Sequence, residues 1–290
     1  GCSIRTNSRV VEILVRPNGE VRGVVVMDRR GDLYALDARA VVLASGGYGS
    51  SPERVAKYRP DLASFTSTGQ PGTTGDALDL VQKIGGETFD LDQIQIHPTQ
   101  AVGAKTLVSE TVRGAGSILV NREGKRFVNE VTTRDKASAA VLKQTGKSAY
   151  VVFDEGIKGS MGMMEGYFHL HLVRSAATLP GLAKELGIDP NALVQTVDNY
   201  NRYQAAKHDP DFDRDDMPKP IKTGPFYAIE IKPGIHFTMG GVRINAKTEV
   251  LTPDRRPIPG LYAAGEVTGG VHGGNRLGGN AMTALFTFGP

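Results

Sequence analysis

The sequence predicts an α/β fold combined with an α+β part. An apolar run at residues 40–47 ends in paired glycines, and a second run, within residues 260–266, is followed by a glycine turn at Gly265 and Glu266. Such a run is typical of a strand buried on both faces of a parallel sheet, whose carboxyl end opens onto a ligand. Helical patterns and alternating patterns share the chain between these runs, which indicates a mixed architecture.

The first 38 residues predict an antiparallel meander. Alternating apolar and polar residues favour strands at residues 8–16, 21–28 and 33–38. Asn18 and Gly19 separate the first two strands, and both residues tolerate the positive φ that a tight hairpin turn requires.

Helical spacing of apolar residues predicts four helices, at residues 76–84, about 133–145, 192–207 and from about 280 onward. Gly85 and Gly86 are expected to end the first of them, because glycine adopts the left-handed conformation at helix ends. The polar, proline-rich residues 208–220 are expected to form a loop.

Composition excludes several classes of protein. With 40% hydrophobic and 22% charged residues among 290, the chain is typical of a globular protein. The net charge of +3 has no basic run with interleaved aromatics, so nucleic acid is not expected as a partner. No apolar stretch predicts a transmembrane segment.

The single cysteine, Cys2, excludes a cysteine-based metal cage, and His169 and His171 lack further ligands nearby, so no metal is assigned.

A Gly-x-Gly-x-x-Gly segment between a strand and a helix, the usual cradle for a dinucleotide pyrophosphate, is absent from the sequence. The two strand-plus-glycine units therefore suggest the later parts of a nucleotide-binding fold. We expect the chain to be a fragment of a longer protein.

Two clusters of cationic and hydrogen-bonding side chains lie far apart in the chain, at residues 97–99, 109–114 and 133–136 and at residues 236–241 and 272–280. An arginine fork matches a carboxylate bidentately, and a nearby histidine adds a donor whose charge can be tuned. An Arg/His pair at each end of a pocket would bind a small dicarboxylate.

The motifs in these clusters resemble those of a known family. They are Gln-Ile-Gln-Ile-His-Pro-Thr at 93–99, Ser-Glu-Thr-Val-Arg-Gly at 109–114, Asn-Arg-Glu-Gly-Lys-Arg-Phe-Val-Asn-Glu at 121–130, His-Phe-Thr-Met-Gly-Gly at 236–241 and Gly-Glu-Val-Thr-Gly-Gly-Val-His-Gly at 265–273. Their order along the chain resembles the flavoprotein subunit of fumarate reductases and succinate dehydrogenases, above all the soluble flavocytochrome c type.

The resemblance implies an incomplete FAD-binding domain of Rossmann-like fold, formed by residues 1–91 and 238–290. A mobile clamp, or capping, domain at residues 92–237 would be inserted between them, and it would close over the flavin. FAD is thus the implied cofactor, and haem is possible only in a domain outside this sequence. The implied setting is electron transport in anaerobic respiration, in the periplasm rather than the cytoplasm, with the electron donor and the oligomeric state left open.

The resemblance also implies roles for individual residues in fumarate reduction. The implied substrate-binding residues are His236 and Arg276 for one carboxylate and His97 and Ser109 for the other. Arg134 would be the proton donor, with Glu110 and Arg113 as its relay; these two residues are three positions apart, close enough to meet on one helical turn. Without the resemblance, Arg276 would suit a phosphate or flavin equally well, His236 would be a packed strand histidine, and Arg134 would pair with an acid at a solvated helix start.

The cofactor-binding residues implied by the resemblance are Gly46, Gly47, Glu266, Gly278, Gly279, Asn280 and Ala281. The glycines would let the backbone approach FAD, and Glu266 would accept hydrogen bonds from its hydroxyls. A helix that begins near Asn280 would direct its positive dipole end at the flavin ring.

Two residues depart from the family pattern, and three alternatives stay open. Ser109 stands where threonine is common, and Leu107 stands where a bulky methionine is common.

The alternatives to fumarate reduction are a reductase of another unsaturated acid of the urocanate or acrylate type, an L-aspartate oxidase, and a non-catalytic module without tightly bound FAD. Because the pyrophosphate cradle is absent, we expect the isolated chain to retain FAD weakly or not at all.

Overall fold

The computed structural model describes residues 2–289 and divides the chain into two compact units. Among the described residues, the first unit contains residues 2–64, 69–95 and 236–289. The second contains residues 65–68 and 96–235. The assignment of FAD-binding and clamp domains to residues 1–91, 92–237 and 238–290 stays a prediction.

The elements from residue 9 to residue 120 are, in chain order, β1 (Arg9–Val15), β2 (Val21–Met27), β3 (Leu33–Asp37), β4 (Val41–Leu43), α1 (Pro52–Tyr58), α2 (Asp76–Lys83), β5 (Thr88–Phe89), β6 (Ile94–Ala101), α3 (Glu110–Gly114) and β7 (Ile118–Val120). The elements that follow are α4 (Arg134–Leu142), β8 (Ala149–Asp154), α5 (Glu155–Lys158), α6 (Met164–His169), β9 (Val173–Ala176), α7 (Leu179–Leu186), α8 (Pro190–Ala206), β10 (Phe226–Thr238), β11 (Gly241–Val242), β12 (Glu249–Leu251), β13 (Pro257–Ala263) and α9 (Asn280–Phe288). Short 3₁₀ turns lie at Pro60–Leu62 and Thr145–Lys147.

The predicted meander is confirmed in the first unit, where β1, β2 and β3 form an antiparallel sheet. The helix predicted at residues 76–84 is also confirmed as α2. Its last turn closes with the N–H of Gly86 donating to the carbonyl of Val81 at 2.9 Å, and Gly85 has a φ of +83°. Glycine at this position satisfies the last carbonyls of the helix without steric cost.

The two apolar runs lie side by side, because β4 pairs in parallel with β13 and Leu43 faces Ala263. Parallel strands end at the same edge of a sheet, so the glycine turns that follow them are neighbours. The prediction that the first run is buried on both faces is wrong, since Val42 is 64% exposed. β4 is the edge strand of a sheet ordered β12-β13-β4, and one of its faces has no covering element among the described residues.

The second unit is built on a five-stranded sheet in the order β6-β10-β8-β7, with β9 also pairing with β10. Its helices cover a continuous apolar core that includes Phe153, Leu182 and Tyr200. The predicted helix at residues 192–207 is confirmed as α8, where the Asp189 side chain accepts the N–H of Asn191 and caps the helix. The predicted loop at residues 208–220 contains no helix or strand.

Within residues 2–289, no helix is both long enough and apolar enough for a membrane crossing.

Gly240 is the glycine whose replacement we expect to disturb the first unit most clearly. A Cβ at this position would lie 1.9 Å from the carbonyl oxygen of Asp90, a backbone atom that cannot rotate away. Gly240→Ala should therefore lower the free energy of unfolding by about 1–3 kcal/mol. Chemical denaturation measures the change. Gly72→Ala is the matched control, because nothing lies within 4 Å of its Cβ; equal stability of the two variants would contradict the expectation.

Candidate active site

The second unit contains a carboxylate held between an arginine and a histidine. Glu110 is the first residue of α3, and Arg134 is the first residue of α4. Nη2 of Arg134 donates to Oε1 of Glu110 at 2.5 Å, and Nε2 of His97 lies 3.3 Å from Oε2. His97 has no exposed surface and Arg134 is 7% exposed, while the side chain of Glu110 is 37% exposed. We call His97, Glu110 and Arg134 the carboxylate triad.

The contacts of His97 define its tautomer. The backbone N–H of Thr99 donates to Nδ1 at 3.3 Å, while the Thr99 hydroxyl donates to the carbonyl of Val108 at 2.6 Å. Nδ1 is therefore the acceptor, and the hydrogen of a neutral ring lies on Nε2, directed at Glu110. The resemblance assigns His97 to a substrate carboxylate. In this structure its Nε2–H is directed at the carboxylate of Glu110 instead.

Burial and charge keep the triad in one protonation pattern. The pKa of His97 is lowered to about 4, chiefly by burial and also by the cations Arg113 and Arg134, while Glu110 acts in the opposite direction. The pKa of Glu110 lies well below its usual range because His97 donates to it and Arg134 is close. At neutral pH the triad therefore holds a neutral imidazole, a carboxylate and a guanidinium.

Ser109 caps α3 and is itself fixed by a tyrosine. Its hydroxyl accepts the N–H of Thr111 at 3.2 Å and donates to the Thr111 hydroxyl at 3.1 Å. The N–H of Ser109 donates to the hydroxyl of Tyr167 at 3.1 Å, and that hydroxyl donates to the carbonyl of Leu107 at 3.2 Å. The structure thus places Ser109 directly before Glu110, with its backbone held in position.

Arg113 shares α3 with Glu110, but the two side chains form no ion pair among the described residues. Instead, Nη1 of Arg113 donates to the backbone carbonyl of Glu130. Arg113 is 2% exposed, and burial lowers its pKa to about 10, with Glu110 acting in the opposite direction. The structure directs the guanidinium of Arg113 toward the segment before α4, and its relay role stays a prediction.

In the first unit, Arg276 lies over the aromatic ring of Phe237, the residue that follows His236. Its guanidinium carbon is 4.3 Å from the ring centroid of Phe237, and the ring of His272 packs edge-on against the same phenyl group. The backbone of Arg276 is held by Gln95, whose side-chain amide donates to its carbonyl at 2.8 Å. A cation held over an aromatic face is oriented as well as stabilised.

Glu266 lies in the glycine turn after β13 and is held in place by Thr238, the last residue of β10. Its Oε1 accepts the N–H of Thr238 at 2.9 Å and the Thr238 hydroxyl at 3.2 Å. A Cβ at Gly47 would lie 2.0 Å from that hydroxyl oxygen, which explains the glycine. Oε2 of Glu266 has no partner among residues 2–289, although burial raises the pKa of this group. The second oxygen of this partly buried carboxylate can therefore accept a hydrogen bond from a ligand hydroxyl.

The N-terminus of α9 is also suited to a ligand. Gly279 precedes the helix with a φ of +82°, and no side chain caps the first turn at Asn280 and Ala281. Met282 and Phe286 are 55% and 74% exposed, which is unusual for large apolar side chains. Uncapped N–H groups favour negative charge, and apolar side chains favour a flat ring. Gly46, with a φ of +74°, and Gly278 complete the predicted set. These residues fit FAD, and their roles stay predictions.

Sequence reasoning missed the buried partners of these residues. Thr99 and Tyr167 orient His97 and Ser109, and Thr238 orients Glu266. Glu130 belongs to a motif that was recognised but received no role. The residue pattern gives no sign of Tyr167, because its contact with Ser109 spans 58 positions.

The chain is similar to several known proteins. Residues 1–282 match the model of the FAD binding domain family. The chain is 50% identical over 286 residues to a fumarate reductase (cytochrome) of Shewanella frigidimarina, covering 99% of this chain and 50% of that protein. It is 43% identical over 290 residues to an NADH:fumarate oxidoreductase of Klebsiella pneumoniae, covering the whole chain and 31% of the relative.

A solved structure is also similar. The open conformation of a flavocytochrome c3 fumarate reductase superimposes with a TM-score of 0.78 at 46% identity, over 97% of this chain and 50% of that one. The chain spans about half the length of the first of these relatives.

The chain belongs to the FAD-binding domain family, and the predicted FAD-binding fold is thereby confirmed. Within that family it belongs with the flavoproteins of the fumarate reductase and succinate dehydrogenase group, as its motifs predicted.

His97 should make the stability of the protein depend on pH. Its pKa falls from an ordinary 6.5 to about 4 on folding, so the unfolded state binds more protons between these values. The contribution of His97 to the free energy of unfolding is fully present above about pH 6.5 and is lost as the pH falls toward 4. The loss between pH 7 and pH 5 is about 2 kcal/mol. Urea denaturation at both pH values measures the loss.

His97→Gln should remove that part of the pH dependence. The matched control is His169→Gln, because His169 is exposed and water surrounds it in both states. If the free energy of unfolding of the wild-type protein changes between pH 7 and pH 5 by no more than that of His97→Gln, His97 is not a neutral, buried histidine.

Proposed function

We propose that the protein to which this chain belongs reduces fumarate to succinate with FAD as its cofactor. The observation that carries the proposal is the carboxylate triad, in which a nearly buried arginine is held by a carboxylate of depressed pKa. A guanidinium is a poor acid, with a pKa above about 12. It can serve as a proton donor when the acceptor is a strongly basic carbanion and a neighbouring carboxylate stabilises and reprotonates it.

Bound FAD would supply the hydride from its N5 atom. Glu266 and the first turn of α9, including Gly278, Gly279, Asn280 and Ala281, hold the cofactor, with Gly46 and Gly47 at the neighbouring turn. The free acceptor position on Glu266 and the uncapped helix N-terminus support this assignment.

The chain's own residues bind and polarise the diacid. His236 and Arg276 bind one carboxylate, and His97 and Ser109 bind the other. Arg276 is well suited to this task, because the ring of Phe237 orients its guanidinium and only 5% of the residue is exposed. Donors that are fixed before the substrate arrives need no reorganisation as charge develops, which is usually the largest contribution to catalysis.

Proton delivery is the task of Arg134, with Glu110 and Arg113 as the relay. Arg134 donates from a guanidinium nitrogen to the substrate carbon, and Glu110, on its other side, returns a proton to that nitrogen. The low pKa of Glu110 keeps its carboxyl group ionised between turnovers, so a proton that reaches it passes at once to the far more basic neutral guanidine of Arg134. Arg113 carries the proton toward Glu110, and its pKa of about 10 makes it a better acid than an exposed arginine.

The wider setting follows from the same proposal. A fumarate reductase uses the diacid as a terminal electron acceptor, so we place the protein in anaerobic electron transport. A periplasmic location, as the family resemblance implies, is part of the proposal, while the Klebsiella relative is named for NADH as its donor.

Replacing Arg134 tests the proton donor. In the full-length protein, Arg134→Lys should lower kcat for fumarate by about 10²–10⁴-fold, because the general acid is lost. Reduction of the flavin by dithionite should be unchanged. Steady-state assays and anaerobic absorbance at the flavin band measure the two steps. Arg202→Lys, an exposed replacement on α8, should keep the wild-type kcat.

The same assay with urocanate, acrylate and L-aspartate decides the substrate. Fast turnover of one of these acids beside negligible turnover of fumarate would exclude fumarate as the substrate. A loss in Arg134→Lys no greater than in Arg202→Lys would exclude Arg134 as the proton donor.

Flavin retention tests the cofactor site without any activity measurement. The isolated 290-residue chain lacks a Gly-x-Gly-x-x-Gly cradle and should purify with much less than stoichiometric FAD. The full-length protein should be yellow, and Glu266→Ala should lower its FAD content, as measured by absorbance after denaturation. Stoichiometric FAD in the isolated chain would show that the cradle is dispensable.

A further inference from the structure

A second group of charged side chains in the second unit is more deeply buried than the carboxylate triad. Glu130 and Arg214 have no exposed surface, and Asp209 is 2% exposed. The side chain of Arg126 is 5% exposed. Enclosing charges costs free energy unless each is paired with good geometry. We call these four residues the buried ion cluster, and the proposed function gives them no role.

The carboxylate of Glu130 is fully hydrogen-bonded. Its Oε1 accepts Nε of Arg126 at 2.8 Å and the N–H of Leu119 at 3.2 Å. Its Oε2 accepts Nη2 of Arg126 at 2.8 Å and Nη1 of Arg214 at 2.9 Å. Four donors therefore fix both oxygens of this carboxylate, so the segment that carries Glu130 has a single position.

Arg214 connects this carboxylate to α3. Its Nη2 donates to the backbone carbonyl of Arg113 at 2.7 Å, and Nη1 donates to the carbonyl of Ser117 at 3.0 Å. Its Nε donates to the carbonyl of Asp216 at 2.8 Å. The planar fork of one arginine thus joins the end of α3, the strand that follows it and the loop at residues 208–220.

Arg113 is held at two points by the same pair of residues. Its backbone carbonyl accepts from Arg214, and its guanidinium donates to the backbone carbonyl of Glu130. Because Glu130 is fixed through its side chain, the guanidinium of Arg113 has a fixed anchor as well. Burial lowers the pKa of Arg113, and the charge of Arg214 acts in the same direction while Glu110 and Glu130 oppose it.

We propose that Arg214 is a positioning residue of the proton relay, which acts by fixing Arg113 through the Glu130–Arg214 ion pair. This inference rests on the proposed function, since it assigns a purpose to Arg113 as a relay member. The proposal also explains why the largest fully buried side chain among residues 2–289, that of Arg214, comes from a loop without regular structure. Lysine could supply the charge of Arg214 but not its planar fork of donors.

Arg214→Lys in the full-length protein tests the proposal. We expect kcat for fumarate to fall about tenfold or more, because displacement of a positioned group by about 1 Å can cost up to about 10²-fold. The KM for fumarate and the Kd of malonate, a diacid that is not reduced, should stay within about twofold, because Arg113 is not a substrate contact. The solvent deuterium isotope effect on kcat should rise as proton delivery becomes slower than hydride transfer.

Asp209→Asn is the matched control. Asp209 belongs to the same buried ion cluster and accepts from Arg126 at 2.8 Å, but it does not contact Arg113 or Arg214. This variant should lower the Tm as Arg214→Lys does, while its kcat and isotope effect stay at wild-type values. A merely structural role of the cluster would instead give both variants the same kcat at the same loss of Tm, and that result would overturn the proposal.

If Arg214→Lys does not fold, Glu130→Gln replaces it, because the amide keeps the shape of the side chain and one acceptor oxygen. An unchanged kcat in Glu130→Gln would also overturn the proposal. If the wild-type protein does not reduce fumarate, the proposed function fails. Arg214→Lys and Asp209→Asn are then compared on the acid that the protein does reduce, so the two failures are distinguished.

Discussion

The hydrogen bonds to Glu110 are the interaction on which the proposed chemistry depends. An imidazole N–H and a guanidinium approach the two oxygens of a carboxylate that is half withdrawn from water, and they hold its pKa well below the usual range. The same contacts fix the protonation of His97, since a ring without exposed surface and close to two arginines does not take up a second proton at neutral pH. Geometry and charge state are therefore set together, and neither can change without the other.

Sequence patterns predicted the elements of the fold well where local forces decide them. The meander of β1, β2 and β3 follows from alternation and an Asn-Gly turn, and α2 and α8 follow from helical spacing and capping residues. The burial of β4 was predicted incorrectly, because an apolar run indicates the residues that avoid water but not the element that covers them. That information lies in tertiary contacts, which a local pattern does not carry.

The candidate site was predictable in its motif residues and unpredictable in their supports. Glu110 and Arg113 are three positions apart, so spacing alone suggested a pair, yet the structure directs Arg113 to a carbonyl in another segment. Arg214 reaches Arg113 across 101 positions from a loop that has no periodicity. A polar residue in such a loop is usually solvated, so only the fold distinguishes an arginine that is enclosed from one that is not.

The short sequence separations within the carboxylate triad have a consequence for how the protein can diversify. His97 and Glu110 are 13 positions apart, and Glu110 and Arg134 are 24 apart, so ordering the three requires the closure of short loops only. The carboxylate triad is thus encoded in one contiguous block of the gene. Under the proposed function, mutations around Arg276 would alter one substrate contact while the triad is inherited intact.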